Sequence, residues 1–332
     1  MKERIDTFQQ RHRAPGVAVA TVKKYSEDQS SNLAAMIAFW AFFSIFPLLL
    51  ALVTILGYVL PAGTRTNVLQ HVASYLPLLD ASTLHGLTGS WWPVLLGLLT
   101  ALWSGMSVTK TTEQAFNSVW EIKMVDRPGF VDKLKHSLLA LFTIGVGLVV
   151  SVVISGFVTG SASGVNLGWW GRGIGWGISV ALDIGLFIAA FRLLTAKDVG
   201  VRDVLPGAIL AGVVFWLLQE ASSFIISNRL HSAQSTYGNF ATVIVMLWWF
   251  YLQSQVTLFG AQLNAVLKER LYPRSLAGAP ETEADHRVLE AYAQEATYHE
   301  SEEIEARFSG DAAQRQPGRQ PARRGGNGAD RP

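Results

Sequence analysis

Uncharged apolar stretches alternate with short charged ones along most of this chain, and the pattern is clearest between Arg202 and Arg270. There RDVLPGAILAGVVFWLLQEASSFIIS and ATVIVMLWWFYLQSQVTLFGAQLNAVLKER flank the polar connection NRLHSAQSTYGNF, which carries one basic residue, Arg229. Arg202 and Asp203 stand at one far end, and Lys268, Glu269 and Arg270 at the other. Each apolar segment reaches the about 20 residues that a helix needs to cross a bilayer at about 1.5 Å per residue. Two spans whose charged ends lie on the same side predict a helical hairpin through a membrane.

The remaining chain repeats this pattern. Residues 1–32 are basic and polar, with no apolar core for a cleavable signal peptide, so the first span is expected to act as its own insertion signal. Val17 to Tyr25 reads as a short surface helix with its lysines toward lipid headgroups. A first span is predicted over about 33–60, kinked at Pro47, with Ser44 placed to satisfy the carbonyl that the proline frees. A long connection follows, with an interfacial helix predicted over Asn67 to Leu79. The second span, about 91–109, opens on Trp91–Trp92–Pro93 and should continue as a helix into KTTEQAFNSVWEI. Further spans are predicted over about 137–159, 174–194, 204–227 and 241–267. Small residues recur at four-residue spacing as Gly156/Gly160, Gly173/Gly177 and Ala181/Gly185, which would let helix backbones approach closely or serve a homo-oligomer. Residues 271–332 read as a largely disordered tail: an acidic stretch over 281–305 able to form a marginal helix, then a Gly, Pro and Arg-rich end.

Basic residues fix the orientation. Lys2, Arg4, Arg11, Arg13, Lys23 and Lys24 precede the first span. Lys110, Lys123, Arg127, Lys133 and Lys135 lie between the second and third, and Arg192, Lys197 and Arg202 between the fourth and fifth. Lys268, Arg270 and Arg274 follow the sixth, whereas the three opposite connections hold Arg65, Arg172 and Arg229 alone. Cytoplasmic loops carry the excess of Lys and Arg. The sequence therefore predicts an all-α polytopic membrane bundle of six transmembrane helices with both termini cytoplasmic.

Composition narrows the chemistry. Only 16% of residues are charged, against about 25% in soluble domains, and 50% are hydrophobic. No cysteine is present, which excludes disulfides and thiolate chemistry. The seven histidines show no metal-ligand spacing, and neither a GxxxxGK[ST] phosphate loop nor a GxSxG elbow occurs. The expectation is a protein that is not an enzyme and holds no metal or other cofactor. Its partners would be membrane lipids and, through the C-terminal tail, cytoplasmic proteins, with no specific nucleic acid.

Polar groups inside the spans are the candidate functional residues. Asp183 lies near the middle of the fourth span, where a carboxylate is costly and must face the protein interior or water. It reads equally as a proton or cation site and as a hydrogen-bonded acid joining helices. Glu220, with Gln219, sits nearer the outer end of the fifth span, where solvation in a vestibule is the simpler reading. Gln255 and Gln262 share a face of the sixth span, near Gln253 and Asn264, and suggest either a lined cavity or interhelical hydrogen bonds. Glu113 and Asn117 follow Thr109 at steps of four, with Lys110 in reach of Glu113.

Several motifs together resemble the YihY/virulence factor BrkB family of bacterial inner-membrane proteins, which includes YhjD-type envelope-integrity proteins. They are AFWAFFSIFPLLL, EQAFNSVWEI, RDVLPGAILAGVVFW, STYGNF and WWFYLQSQVTLFGAQLNAVL, spread over Leu33 to Lys268. By motif, Ser44, Pro47, Glu113, Asn117, Trp120, Arg202, Pro206, Gly207, Tyr237, Gly238, Gly260 and Asn264 fall on family positions. The resemblance implies a six-span bundle of the bacterial plasma membrane and a role in envelope integrity or lipid-linked export. It also brings an old ribonuclease label that the residues here do not support. The final motif often reads GAE in the family, and here Gln262 replaces the acid. The leading expectation is an envelope protein that transports or handles a lipid-like or amphipathic component. The alternative is a structural scaffold without transport activity.

Overall fold

A computed structural model describes residues 2–59, 91–158, 168–276, 281–306 and 308, with some side chains inside helices 2–59, 91–158 and 168–240 excepted. Nine α-helices lie among them: α1 (Lys2–Arg11), α2 (Arg13–Glu27), α3 (Ser30–Val59), α4 (Trp91–Val119), α5 (Phe130–Val158), α6 (Gly168–Leu193), α7 (Val201–Tyr237), α8 (Ala241–Lys268) and α9 (Glu283–Glu295). No strand occurs among the described residues. The expected interfacial helix over Asn67 to Leu79 and the Gly/Arg-rich end of the chain lie outside them, as does Gly160.

Helices α3 to α8 each pack on their chain neighbour, and α8 returns to pack on α3, so the six close into a ring; α8 also reaches across to α4. Among the described residues, three stretches are long and apolar enough to cross a membrane: Gly173–Leu193, Val201–Ser222 and Ala241–Lys268. Ser30–Ile45 and Leu134–Gly147 are shorter apolar segments. Large apolar side chains remain exposed around the ring, among them Leu96, Trp103, Leu139, Phe142, Ile174 and Leu217. This is the surface expected of a protein whose solvent is hydrocarbon. Helix α4 carries on past the second predicted span into the EQAFNSV motif, as the uninterrupted helical pattern suggests. Helix α7 absorbs the first part of the polar connection, running 37 residues to Tyr237, and stops where Gly238 takes φ +55°. That left-handed turn suits a residue without Cβ.

Close helix approach is real but sits elsewhere than the small-residue spacing suggests. A Cβ added at Gly173, Gly177 or Gly185 would meet nothing within 4 Å. The tight crossing joins α7 to α8, where a Cβ on Gly207 would lie 2.0 Å from the Gly260 carbonyl oxygen and 2.6 Å from the Asn264 amide. Asn264 Oδ1 accepts the Gly207 amide proton at 2.7 Å, so the side chain takes a backbone donor in the turn that follows Pro206. Spacing reveals which residues share a face, not which face meets a neighbour. The serine near the other proline also acts differently from expectation. Ser44 Oγ donates to the Ala41 carbonyl at 2.7 Å, not to the Phe43 carbonyl that Pro47 frees, and α3 runs unbroken through both.

One end of the bundle is charged. Here α2 packs on α1, on α3 and on α8, and α9 meets α2 and the ends of α4 and α8. The part of residues 271–332 that is described is folded against this end rather than loose. Val288 and Tyr292 of α9 pack with Ala20 of α2 and Val266 and Leu271 at the end of α8. Helix α9 begins with a capping box: Thr282 Oγ1 accepts from the Asp285 amide, and Asp285 Oδ2 accepts from the Thr282 amide. Removing such a cap costs about 0.5–2 kcal/mol. Thr282→Ala is therefore expected to lower hydrogen-exchange protection of α9 by about tenfold and leave α7 and α8 unchanged.

Candidate functional site

The charged end holds its cations and carboxylates out of water. Lys24 Nζ is fully buried, 2.7 Å from Asp28 Oδ2 and 2.6 Å from Glu121 Oε1, and both carboxylates are nearly as buried. Asp28 also accepts from Gln262 Nε2 at 2.6 Å and from the Tyr292 hydroxyl. Gln262 in turn donates to Ser30 Oγ at 2.9 Å. Five segments are tied at this one cluster: α2, the start of α3, the turn after α4, α8 and α9. Glu295, one turn beyond Tyr292, accepts from Ser118 Oγ at 3.0 Å and from Arg127 Nη2 at 2.7 Å.

Local structure places each group. Lys24 and Asp28 are four apart and so lie on one face of the helical turn. Glu121 closes α4 in the left-handed region, φ +51°. The Ile122 amide reaches back to the Asn117 carbonyl at 2.9 Å, the six-to-one bond of a Schellman turn, whose turning residue is usually glycine. A glutamate here costs roughly 1 kcal/mol in backbone strain, and it delivers its carboxylate to Lys24. Burial pushes the Glu121 carboxyl up to about 7, against the opposing pull of Lys24. For Lys24, burial lowers the ammonium but Glu121 and Asp28 outweigh it, so it is held above its ordinary value.

A second, more open set of ion pairs clamps the chain ends together. Arg274 donates to Glu27 at 2.6 Å and to Asp285 at 2.9 Å, while Lys23 reaches the same Asp285 at 2.9 Å. Burial would raise the Asp285 carboxyl; hydrogen bonds from Lys23 and the amides of Ser275 and Thr282 prevail and hold it well below the usual range. Gln9 on α1 donates to the Arg274 carbonyl at 2.7 Å. The lysines of α2 thus point into protein, not toward lipid headgroups: Lys24 has an anion on each side, and Lys23 spans to α9.

Beside this end, α2, α7 and α8 enclose a cleft of about 410 Å³ lined by Tyr25, Leu210, Val214, Gln255, Val256 and Phe259. It occupies the space where α7 and α8 part after their crossing at Gly207 and Gly260. Four of its lining side chains are aliphatic or phenyl, and Tyr25 and Gln255 supply the polar groups.

The six residues expected to mark a polar path do not share one cavity. Gln255 lines the cleft, and Gln262 belongs to the buried charge cluster. Glu113 and Asn117 are buried on α4, where Asn117 Oδ1 accepts from the Ala196 amide at 2.9 Å and pins the α6–α7 connection. Asp183 is 6% exposed on α6, one turn from Phe187, which packs on the main core. Glu220 is exposed on α7. Trp120 is buried under Lys197, whose Nζ lies 5.6 Å from the ring centre. Arg202 is exposed, and the Tyr237 side chain is outside the described residues. Sequence reasoning missed Lys24, Asp28 and Glu121. A charged pair at four-residue spacing reads as a solvated helix face until its distant partner is known.

Comparison with known proteins now decides the family. The profile of the family described as "Virulence factor BrkB" matches residues 21–285. This chain belongs to the virulence factor BrkB family. The matched range starts in α2 and ends at Asp285, so Lys24, Asp28, Glu121 and Gln262 fall inside the BrkB region, and Tyr292 and Glu295 lie beyond it. A putative ribonuclease-like protein, YfkH, of Bacillus subtilis (strain 168) is 27% identical over 74% of this chain and 93% of its own length. UPF0761 membrane proteins of Psychrobacter sp. (strain PRwf-1) and Alcanivorax borkumensis are 24% and 26% identical over 76% and 75% of this chain. This BrkB chain spans only 49% and 59% of those two relatives' lengths. No solved structure matches. With the membrane-protein relatives and the apolar helices, the BrkB chain is a membrane protein.

Proposed function

We propose that this protein handles a lipid-like or amphipathic component of the bacterial cell envelope, taking it up sideways from the plasma membrane into the cleft between α2, α7 and α8. One observation carries the reading: a cleft of about 410 Å³ with aliphatic and phenyl walls and two polar side chains, Tyr25 and Gln255, between two helices apolar enough to span. Ligand sites commonly combine such walls with a few placed polar groups. Hydrocarbon tails are the solvent on that side, and Gln255 and Tyr25 would receive a headgroup or linkage oxygen. The ring of α3 to α8 supports six spans, and the excess of Lys and Arg at the charged end supports a cytoplasmic position for that end and both termini. No catalytic step is part of the proposal. RNA cleavage by purified protein that survives stringent repurification would replace it with the activity named in the Bacillus relative.

The test is to fill the cleft. In membranes containing a photoactivatable phospholipid, wild-type protein should crosslink at cleft residues, and Val214→Trp should cut that labelling several-fold without lowering thermal stability. Equal labelling of both proteins would sink the cleft as a lipid site.

A scaffolding role is favoured by a different observation, the docking of α9 on α2. Deleting residues 275–332 would then abolish function, and Val214→Trp would leave it intact.

A further inference from the structure

The buried cluster contains one more carboxylate than it has cations. Among the described residues Lys24 is the one ammonium between Asp28 and Glu121, and hydrogen-bond donors are shared unequally between the two acids. Asp28 accepts hydrogen bonds from Lys24, the Gln262 amide and the Tyr292 hydroxyl. Glu121 has Lys24 opposite it, with the carboxylates of Asp28 and Glu295 adding repulsion. Among the other charged groups described on this side, Arg127 is held by Glu295, and Glu27 is held by Arg274 and Lys23. Glu121 is therefore the site at which one added proton would leave the cluster neutral. In the docked state the Glu121 side chain is itself nearly buried. A polar cleft of about 450 Å³ opens between α2, α3 and α9, and Asp28, Ser118, Tyr292 and Glu295 form part of its wall.

We propose that Glu121 is a proton-binding site that couples the docking of α9 on α2 and α4 to the pH at the charged end of the bundle. Docking brings Tyr292 over Asp28 and Glu295 against Ser118, which shuts the cluster away from water and favours uptake of a proton from bulk water onto the Glu121 carboxylate. Undocking lets water solvate both acids, and Glu121 releases the proton. The raised value of Glu121, about 7 against an ordinary 4.5, agrees with this exchange and sets its window. A carboxyl that holds its proton more tightly in the docked state stabilises that state in acid, and the contribution is lost as pH rises through the docked value. Docking should thus be firm near pH 5 and loosen toward pH 7 and above.

The experiment is hydrogen exchange of the α9 amides in the full chain, reconstituted in lipid nanodiscs, from pH 5 to 8.5 with intrinsic exchange rates corrected. One linked proton predicts protection of α9 that falls by up to about tenfold per pH unit between about pH 5 and 7. Glu121→Gln should hold α9 at its acid-level protection throughout. His286 and His299 belong to the residue type that changes charge near neutrality and lie in or next to α9, His286 being 3.0 Å from Glu281. A pH dependence that survives Glu121→Gln would assign the effect to them and overturn the proposal, as would a flat wild-type profile. If Glu121→Gln does not fold, His286→Asn/His299→Asn decides. Persistence of the wild-type profile supports Glu121, and its loss overturns it.

Discussion

Gly207→Ala should destabilise the protein by about 2–6 kcal/mol, more than any other glycine-to-alanine change at a described position. The added methyl would sit 2.0 Å from the Gly260 carbonyl oxygen, a backbone atom that moves only if α8 moves. Overpacking of this kind costs about 1–3 kcal/mol. Pushing Asn264 away also orphans the buried Gly207 amide, which adds about 1–3 kcal/mol. Thermal unfolding in detergent micelles measures the effect, and two other glycines calibrate it. Gly105→Ala meets Leu141 Cδ1 at 2.9 Å, a side-chain end that can turn, so its cost should be intermediate. Gly145→Ala meets nothing within 4 Å and should be neutral or stabilising by up to about 1 kcal/mol, from helix propensity. An unchanged melting temperature for Gly207→Ala would mean that α7 and α8 do not cross there.

Lys24→Met is the second large effect. The substitution keeps most of the side-chain volume but leaves Asp28 and Glu121 buried without their shared cation. Removing one partner of a buried ion pair costs about 3–5 kcal/mol, because the remaining charge has lost its compensation. The double variant Lys24→Met/Glu121→Gln removes one of the two stranded charges and should recover more than half of the loss. If the double variant is as unstable as the single one, Glu121 is not part of the cluster. The comparison separates electrostatics from packing, since both proteins lack the same lysine.

The apolar segments and their charged ends were legible because membrane spans are long and their signal accumulates over many residues. Continuation of α4 through EQAFNSV could be read from its unbroken helical pattern. The charged end was not legible in the same way. Lys24 and Asp28 look like one turn of a solvated helix, and only Glu121, 97 positions away by subtraction, shows that they are interior. The four-residue glycine spacing in α6 misled for a related reason. Such a pattern marks a smooth face, but the neighbour that meets it is fixed by the ring order of helices, which one segment does not encode. Asp183 lies between these cases: its buried position follows from the cost of a charge in hydrocarbon, while its neighbours do not.

The clamp between the chain ends has a consequence for how the protein is made. Gln9 bonds to the carbonyl of Arg274, which is 265 residues later in the sequence. At about 5–20 residues per second of synthesis, roughly 13–53 s separate the two on the ribosome. For most of that interval α1 and α2 exist with Lys23 unpaired to Asp285 and Asp28 lacking the Tyr292 hydroxyl. Helices α1 and α2 are thus translated well before the partners that hold them, and every span between is made before the clamp can close.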